Sequence, residues 1–163
     1  MLTQRAGDRL SARSPRLSLP HIIRADIRRR PTLMNFAIAI HGDAATSESP
    51  RLALRFARAA IAKGHRIHRV FFYHAGVSVA NSLVVQPQGE ADTAAEWAAF
   101  AKEHGVELAV CVAAALRRGV LGQDDATRYE RAVANVNPIF QIVGLGQMIE
   151  AAISADRFVT FCA

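Results

Sequence analysis

From residue 34 onward, short apolar runs alternate with amphipathic stretches. Asn35–Ile40 (NFAIAI) is a continuous apolar run too short for a helix, and it predicts a buried strand. A polar loop follows over residues 41–48. Ser49 and Pro50 fit an N-cap and a first-turn proline. Leu52, Phe56, Ala59 and Ala60 then line one helical face, and Gly64 stands where a C-terminal cap belongs. Residues 67–73 (IHRVFFY) are β-branched and aromatic and predict a second strand. Residues 74–88 read as a loop with a short helix near 77–83.

Asp92 predicts the cap of a helix whose apolar face is Trp97, Phe100 and Ala101, ending at Gly105. A third strand, 106–110, runs directly into Cys111, and residues 112–118 (VAAALRR) predict a helix stopped by Gly119. Residues 124–133 read as helical until Asn137–Pro138 breaks the pattern. Residues 139–143 suggest a fourth strand. Residues 145–153 predict a helix with Leu145, Met148, Ile149 and Ala152 on one side, and Arg157–Phe161 a final strand.

Strands alternating with helices predict an α/β three-layer sandwich, a mainly parallel sheet with helices on both faces. In such sheets reactive groups gather beyond the carboxyl ends of the strands. Three segments meet that condition: residues 41–48, the loop after Tyr73, and the junction at Cys111.

Composition narrows the class. The 163 residues suit a single globular domain, just over half hydrophobic and about a fifth charged. No apolar run nears the roughly 20 residues that cross a bilayer, and no signal-peptide pattern opens the chain. Two cysteines, Cys111 and Cys162, do not make a disulfide framework, so free thiols in a reducing cytoplasm are expected.

The net charge of +6 resembles a nucleic-acid signature until it is divided along the chain. Residues 1–33 hold eight arginines against Asp8 and Asp26, whereas the remaining 130 hold 12 basic and 12 acidic side chains. The globular part, residues 34–163, therefore exerts no net pull on phosphate, and direct nucleic-acid binding is not expected. For the basic leader, residues 1–33, three readings stand. It is a disordered tail, for which Met34 is a candidate true start; a docking arm; or an organelle transit peptide.

Cys111 is the sharpest chemical feature. A thiol at the end of a strand and the first turn of a helix faces free amides that favour thiolate, the form that attacks or accepts sulfur. The competing reading is a buried cysteine acting as a small hydrophobe. His41, Tyr73 and His74 stand at the mouths of neighbouring strands, where each is a candidate to stabilise a sulfur anion or shuttle a proton. Arg117 and Arg118 lie roughly 9–10 Å along the helix from Cys111, which favours a helix-terminal or partner-docking role over activation of the thiol. Cys162 is expected in the core, with a resolving-thiol role as the alternative. No metal-ligand spacing occurs on one helix, and Gly144-Leu145-Gly146 lacks a full phosphate-binding fingerprint.

Residues 70–77 (VFFYHAGV), 111–120 (CVAAALRRGV) and 144–157 (GLGQMIEAAISADR) resemble the DsrE/TusD family of sulfurtransferase subunits. The resemblance spans nearly everything from Met34 onward and has no counterpart for the leader. It implies a DsrE-like fold, with Cys111 as the persulfide-carrying residue and no cofactor beyond it. It also implies two smaller homologous subunits, TusB/TusC- or DsrF/DsrH-like, in a dimer of heterotrimers. The implied exchange partners are a TusA-like donor and a TusE/DsrC-like carrier. One branch serves 2-thiolation of the tRNA wobble uridine, the other dissimilatory sulfur oxidation; Tyr73–Gly76 and Asn137-Pro138 look closer to the latter. Two rivals remain: a non-catalytic assembly subunit with an inert Cys111, and a nucleotide-binding α/β module.

Overall fold

The computed structural model describes residues 32–162, so every expectation about the leader's own structure lies outside the described residues. Five strands form one parallel sheet in the order β4-β3-β2-β1-β5, with β1 at Asn35–Ile40, β2 at Arg66–Phe72, β3 at Glu107–Cys111, β4 at Phe140–Val143 and β5 at Arg157–Phe161. Its apolar centre explains the parallel arrangement. Residues 36–40, 70–72 and 108–111 are buried, as strands covered on both faces require.

Side-chain alternation assigns the two faces. Phe36, Ile38 and Ile40 point toward α1 (Ser49–Ala62), where Phe36 meets Phe56 edge-on at 5.4 Å. The same layer holds α2 (Thr93–His104). Its Trp97 is fully buried, packs edge-on against Phe72, and donates Nε1–H to the Pro50 carbonyl at 3.2 Å. That bond ties α2 to the start of α1. Asp92 caps α2 by accepting from the Ala94 and Ala95 amides, and Gly105 closes it in the left-handed conformation at φ 66°.

The opposite face carries α5 (Gly146–Ser154). Its anchor is Arg69, an almost fully buried cation on β2. The guanidinium donates to Glu107 of β3 at 2.9 Å, to the Gln147 carbonyl at 2.9 Å, and to Glu150. Burial disfavours its charge, but the hydrogen bonds it donates to Glu107 and Glu150, together with their negative charges, outweigh that effect and raise its pKa. A β-bulge between Phe36 and Ala37 leaves His68 as the extra residue, and so brings Arg69 level with Ala37 on the α5 face.

Several boundaries differ from the sequence reading, for local reasons. Ser49 is the first helical residue of α1 rather than its cap; Glu48 occupies that position without a side-chain bond, and Leu52 and Ala59 are exposed while Ala53, Leu54 and Ala57 face the sheet. The stretch after β2 is a 3-10 helix from His74 to Ala80. The helix after Cys111, α3, stops at Leu116, and α4 covers Gln123–Arg128 rather than ten residues. In α5, Ala151 is buried and Met148 packs on the core, whereas Leu145, Ile149 and Ala152 are exposed. An apolar side that packs nothing in this chain cannot be told from a core face by periodicity. Among the described residues no helix is long and apolar enough to cross a membrane.

Replacing Arg69 with Leu leaves Glu107, whose side chain is only 28% exposed, without its partner. Urea unfolding should show a loss of about 2–3 kcal/mol, reduced from the figure for a fully buried pair because both carboxylates retain some solvent. An unchanged midpoint would show that α5 is not held by this cation.

Candidate functional site

Register brings four chemically capable residues into one row at the carboxyl edge of the sheet. Ile40 is paired with Phe72 and with Phe161, and Phe72 with Val110. The next residue in each chain segment is His41, Tyr73, Cys162 and Cys111. Across the order β3-β2-β1-β5 the row therefore reads Cys111, Tyr73, His41, Cys162. Backbone hydrogen bonds extend the ladder into it: Tyr73 N–H donates to the Ile40 carbonyl, and His41 N–H to the Phe161 carbonyl, both at 2.9 Å.

Gly76 locks the centre of the row. Its N–H donates to the His41 carbonyl at 2.9 Å, and a Cβ at this position would lie 2.3 Å from the Ile40 carbonyl oxygen. The 3-10 helix can close over β1 because this residue has no side chain. His74 makes the turn into that helix with a left-handed φ of 52°, a conformation that histidine tolerates better than most residues.

Cys111 ends β3 and occupies the N-cap position of α3 (Val112–Leu116). It is 2% exposed, belongs to the apolar core cluster, and its sulfur makes no capping bond to the α3 amides. The expected contact between thiol and helix-start amides is therefore absent in this geometry. Beside it opens a groove of about 450 Å³ lined by Val112, Gly122, Asp124, Asp125, Val143 and Gly144. Two carboxylates in that groove make it a poor seat for a phosphate.

Tyr73 and His41 meet edge-on with ring centroids 5.4 Å apart, and His74 lies against Tyr73 at 6.4 Å. Burial, and secondarily the nearby His74, lower the pKa of His41 below 6.5. So three of the sequence-selected residues do come together. Arg117 and Arg118 do not join them: both are exposed beyond α3, and Arg118 donates to the Ala114 carbonyl at 3.4 Å, the helix-terminal role. Among the described residues no cluster of His, Cys, Asp and Glu is arranged to hold a metal.

Cys162 is the correction. It is exposed rather than core, and its Sγ lies 3.8 Å from His41 Nδ1. Sequence reasoning missed this contact because it depends on β5 pairing with β1, a choice of strand order that no local pattern encodes. Also unforeseen was Asn135, a buried amide that donates to the Gly119 carbonyl at 2.8 Å and accepts from Leu121 N–H at 2.7 Å. It fixes the segment that follows the Cys111 helix.

The parallel sheet with helices on both faces and a thiol at a strand–helix junction defines a small three-layer α/β domain. The chain belongs to the DsrE/DsrF-like family, whose profile matches residues 34–161. It is 49% identical over 128 residues to a protein of Pseudomonas aeruginosa named sulfurtransferase TusD homolog, covering 78% of this chain and 97% of that one. It is 43% identical over 128 residues to the putative sulfurtransferase DsrE of Allochromatium vinosum, covering 78% and 98%. The crystal structure of the ychN protein from E. coli shares the fold, with a TM-score of 0.61 at 21% identity over 79% of this chain and all of that one.

Two measurements check the site's construction. Gly76→Ala should lower stability by about 1–3 kcal/mol through overpacking, whereas Gly146→Ala, with open space around it at the start of α5, should be neutral or slightly stabilising. Equal effects would refute the close approach at Gly76. Lowering the pH from 6.5 protonates His41 in the unfolded chain before the folded one, so its contribution must erode stability as pH falls. His41→Asn should flatten that acid-side decline in the urea midpoint; an unchanged slope would show His41 is not held neutral.

Proposed function

We propose that this chain is a sulfurtransferase subunit carrying sulfane sulfur as a persulfide on Cys111 and relaying it between partner proteins. The observation that carries this reading is the place of Cys111: the last residue of β3, on the carboxyl edge, opening α3, in a chain whose relatives are named sulfurtransferases. The Cys111 thiol attacks the outer sulfur of a donor persulfide. A new S–S bond forms, the donor's own S–S bond breaks, and the donor leaves as a thiol carrying the proton. A second partner's thiolate then attacks the outer sulfur and Cys111 departs. The sulfane sulfur keeps its oxidation level, so no cofactor is required.

Burial shapes how this works. A persulfide anion enclosed among apolar groups without hydrogen-bond donors is costly, so loading includes local opening around Cys111. The same cover keeps the loaded sulfur from water. Leu145, Ile149 and Ile153 recur every fourth residue along α5 and are exposed by 43, 55 and 79%. A stripe of that kind suits a subunit interface. On this reading the stripe is covered in a cytoplasmic assembly with two smaller homologous subunits, TusB/TusC- or DsrF/DsrH-like, in a dimer of heterotrimers served by TusA-like and TusE/DsrC-like carriers.

The pathway is either tRNA 2-thiolation or dissimilatory sulfur oxidation. Identity gives the oxidation branch no preference, since the TusD homologue matches at 49% and the DsrE at 43%. The burial and unbonded state of Cys111 favour one alternative, a non-catalytic assembly subunit.

Incubating the assembled protein with a persulfide donor should add the mass of one sulfur atom to the Cys111 peptide, and Cys111→Ser should remove that adduct. An assembled protein that never gains sulfur at Cys111 is the scaffold. In the isolated chain, alkylation should reach Cys111 at least about tenfold more slowly than in urea, as local opening limits access.

A further inference from the structure

The second cysteine is placed unlike the first. Cys162 follows β5 at the sheet's edge, is open to solvent, and has its sulfur 3.8 Å from the Nδ1 of His41. His41 is fixed on three sides. Its N–H donates to the Phe161 carbonyl, its own carbonyl accepts from Gly76, and its ring meets the edge of Tyr73. Burial and, secondarily, His74 lower the pKa of its imidazole, and in the tautomer with the proton on Nε2 the Nδ1 facing the sulfur accepts. A nucleophile and a positioned base at the carboxyl edge of a parallel sheet are the parts from which reactive thiols are made.

We propose that Cys162, with His41 as its base, is a second sulfur-accepting thiol that takes sulfane sulfur from the persulfide of a partner thiol. The class of substrate rests on the sulfur-transfer reading above; the reactivity of the thiol does not. The thiol proton passes to His41 Nδ1, and the Cys162 thiolate attacks the outer sulfur of the partner's persulfide. The new S–S bond forms as the partner's S–S bond breaks, and the partner thiolate leaves with the proton that His41 held. One thiol and one persulfide give one persulfide and one thiol, with no net oxidation.

Cys162 is not a resolving thiol for Cys111. The two lie three strand intervals apart, roughly 14 Å at about 4.8 Å per strand, beyond the ~7 Å Cα separation that a disulfide spans. Sulfur cannot hop between them within one chain. Cys162 is therefore loaded from outside.

The test uses the full chain as Cys111→Ser, alone and with His41→Asn or Cys162→Ser, and glutathione persulfide as the probe. A thiol of ordinary pKa is only a few per cent ionised at pH 7. A base that takes the thiol proton only as the sulfur attacks recovers part of the about thirtyfold that complete ionisation of a thiol would give, and roughly fivefold is the gain expected from His41. Peptide-resolved mass spectrometry should therefore find one added sulfur at Cys162, formed about fivefold faster than on a free model thiol. His41→Asn should remove that advantage and Cys162→Ser the adduct. If His41→Asn does not fold, the iodoacetamide rate of Cys162 in the native chain against the urea-unfolded chain decides instead, with the same fivefold expected. A native rate no faster than the model thiol or the unfolded chain overturns the proposal. In the assembled wild-type protein, sulfur on Cys111 alone would sink this inference and spare the Cys111 reading; sulfur on Cys162 alone would do the reverse.

Discussion

The carboxyl end of β1 is the point on which the rest of the site depends. Ile40 and His41 stand at the junction of three strands, and their backbone groups make three bonds of 2.9 Å to Tyr73, Gly76 and Phe161. Each fixes a neighbour. Tyr73 is held level with Cys111, Gly76 closes the 3-10 helix over the strand, and Phe161 carries Cys162 to the imidazole. A buried backbone carbonyl or amide without such a partner costs 1–3 kcal/mol. The row of side chains is thus set by main-chain bonds, and the side chains need only be of the right kind.

That arrangement explains what could be read in the chain itself. Strand positions, the Asp92 cap and the Gly105 stop are local signals, written within a few residues of where they act. So were Cys111 at a strand–helix junction and Tyr73 and His74 at a strand mouth. Strand order is not local. His41 next to Cys162, 121 residues away, and Arg69 reaching Gln147 and Glu150 exist because β5 returns beside β1 and α5 crosses the far face. Periodicity also misassigned α5, where Leu145 and Ile149 form an apolar side that this chain leaves uncovered.

The two faces of the sheet are built differently, and the difference bears on function. Toward α1 and α2 the contacts are aromatic and aliphatic, with Trp97 fully buried among them. Toward α5 they include one guanidinium and two carboxylates, and the helix shows exposed apolar residues outward. A helix held through an ion pair on one side and left apolar on the other is suited to pass between a chain's own sheet and a neighbour. The layer with the uncovered apolar side is also the one on the face of Cys111. Cys111 pairs level with Val143, and by alternation follows Glu107 and Ala109 on the α5 face.

Burial and exposure of the two thiols pull in opposite chemical directions. An enclosed sulfur is protected from water and oxidants but reacts only when its surroundings open, so its timing belongs to whatever opens them. An exposed sulfur beside a neutral imidazole reacts on encounter and holds its cargo unshielded. The two environments therefore differ in what sets the moment at which each sulfur can react. On this sheet they are separated by three strand intervals along one edge. The chain presents one thiol at its rim without exposing the thiol in its core.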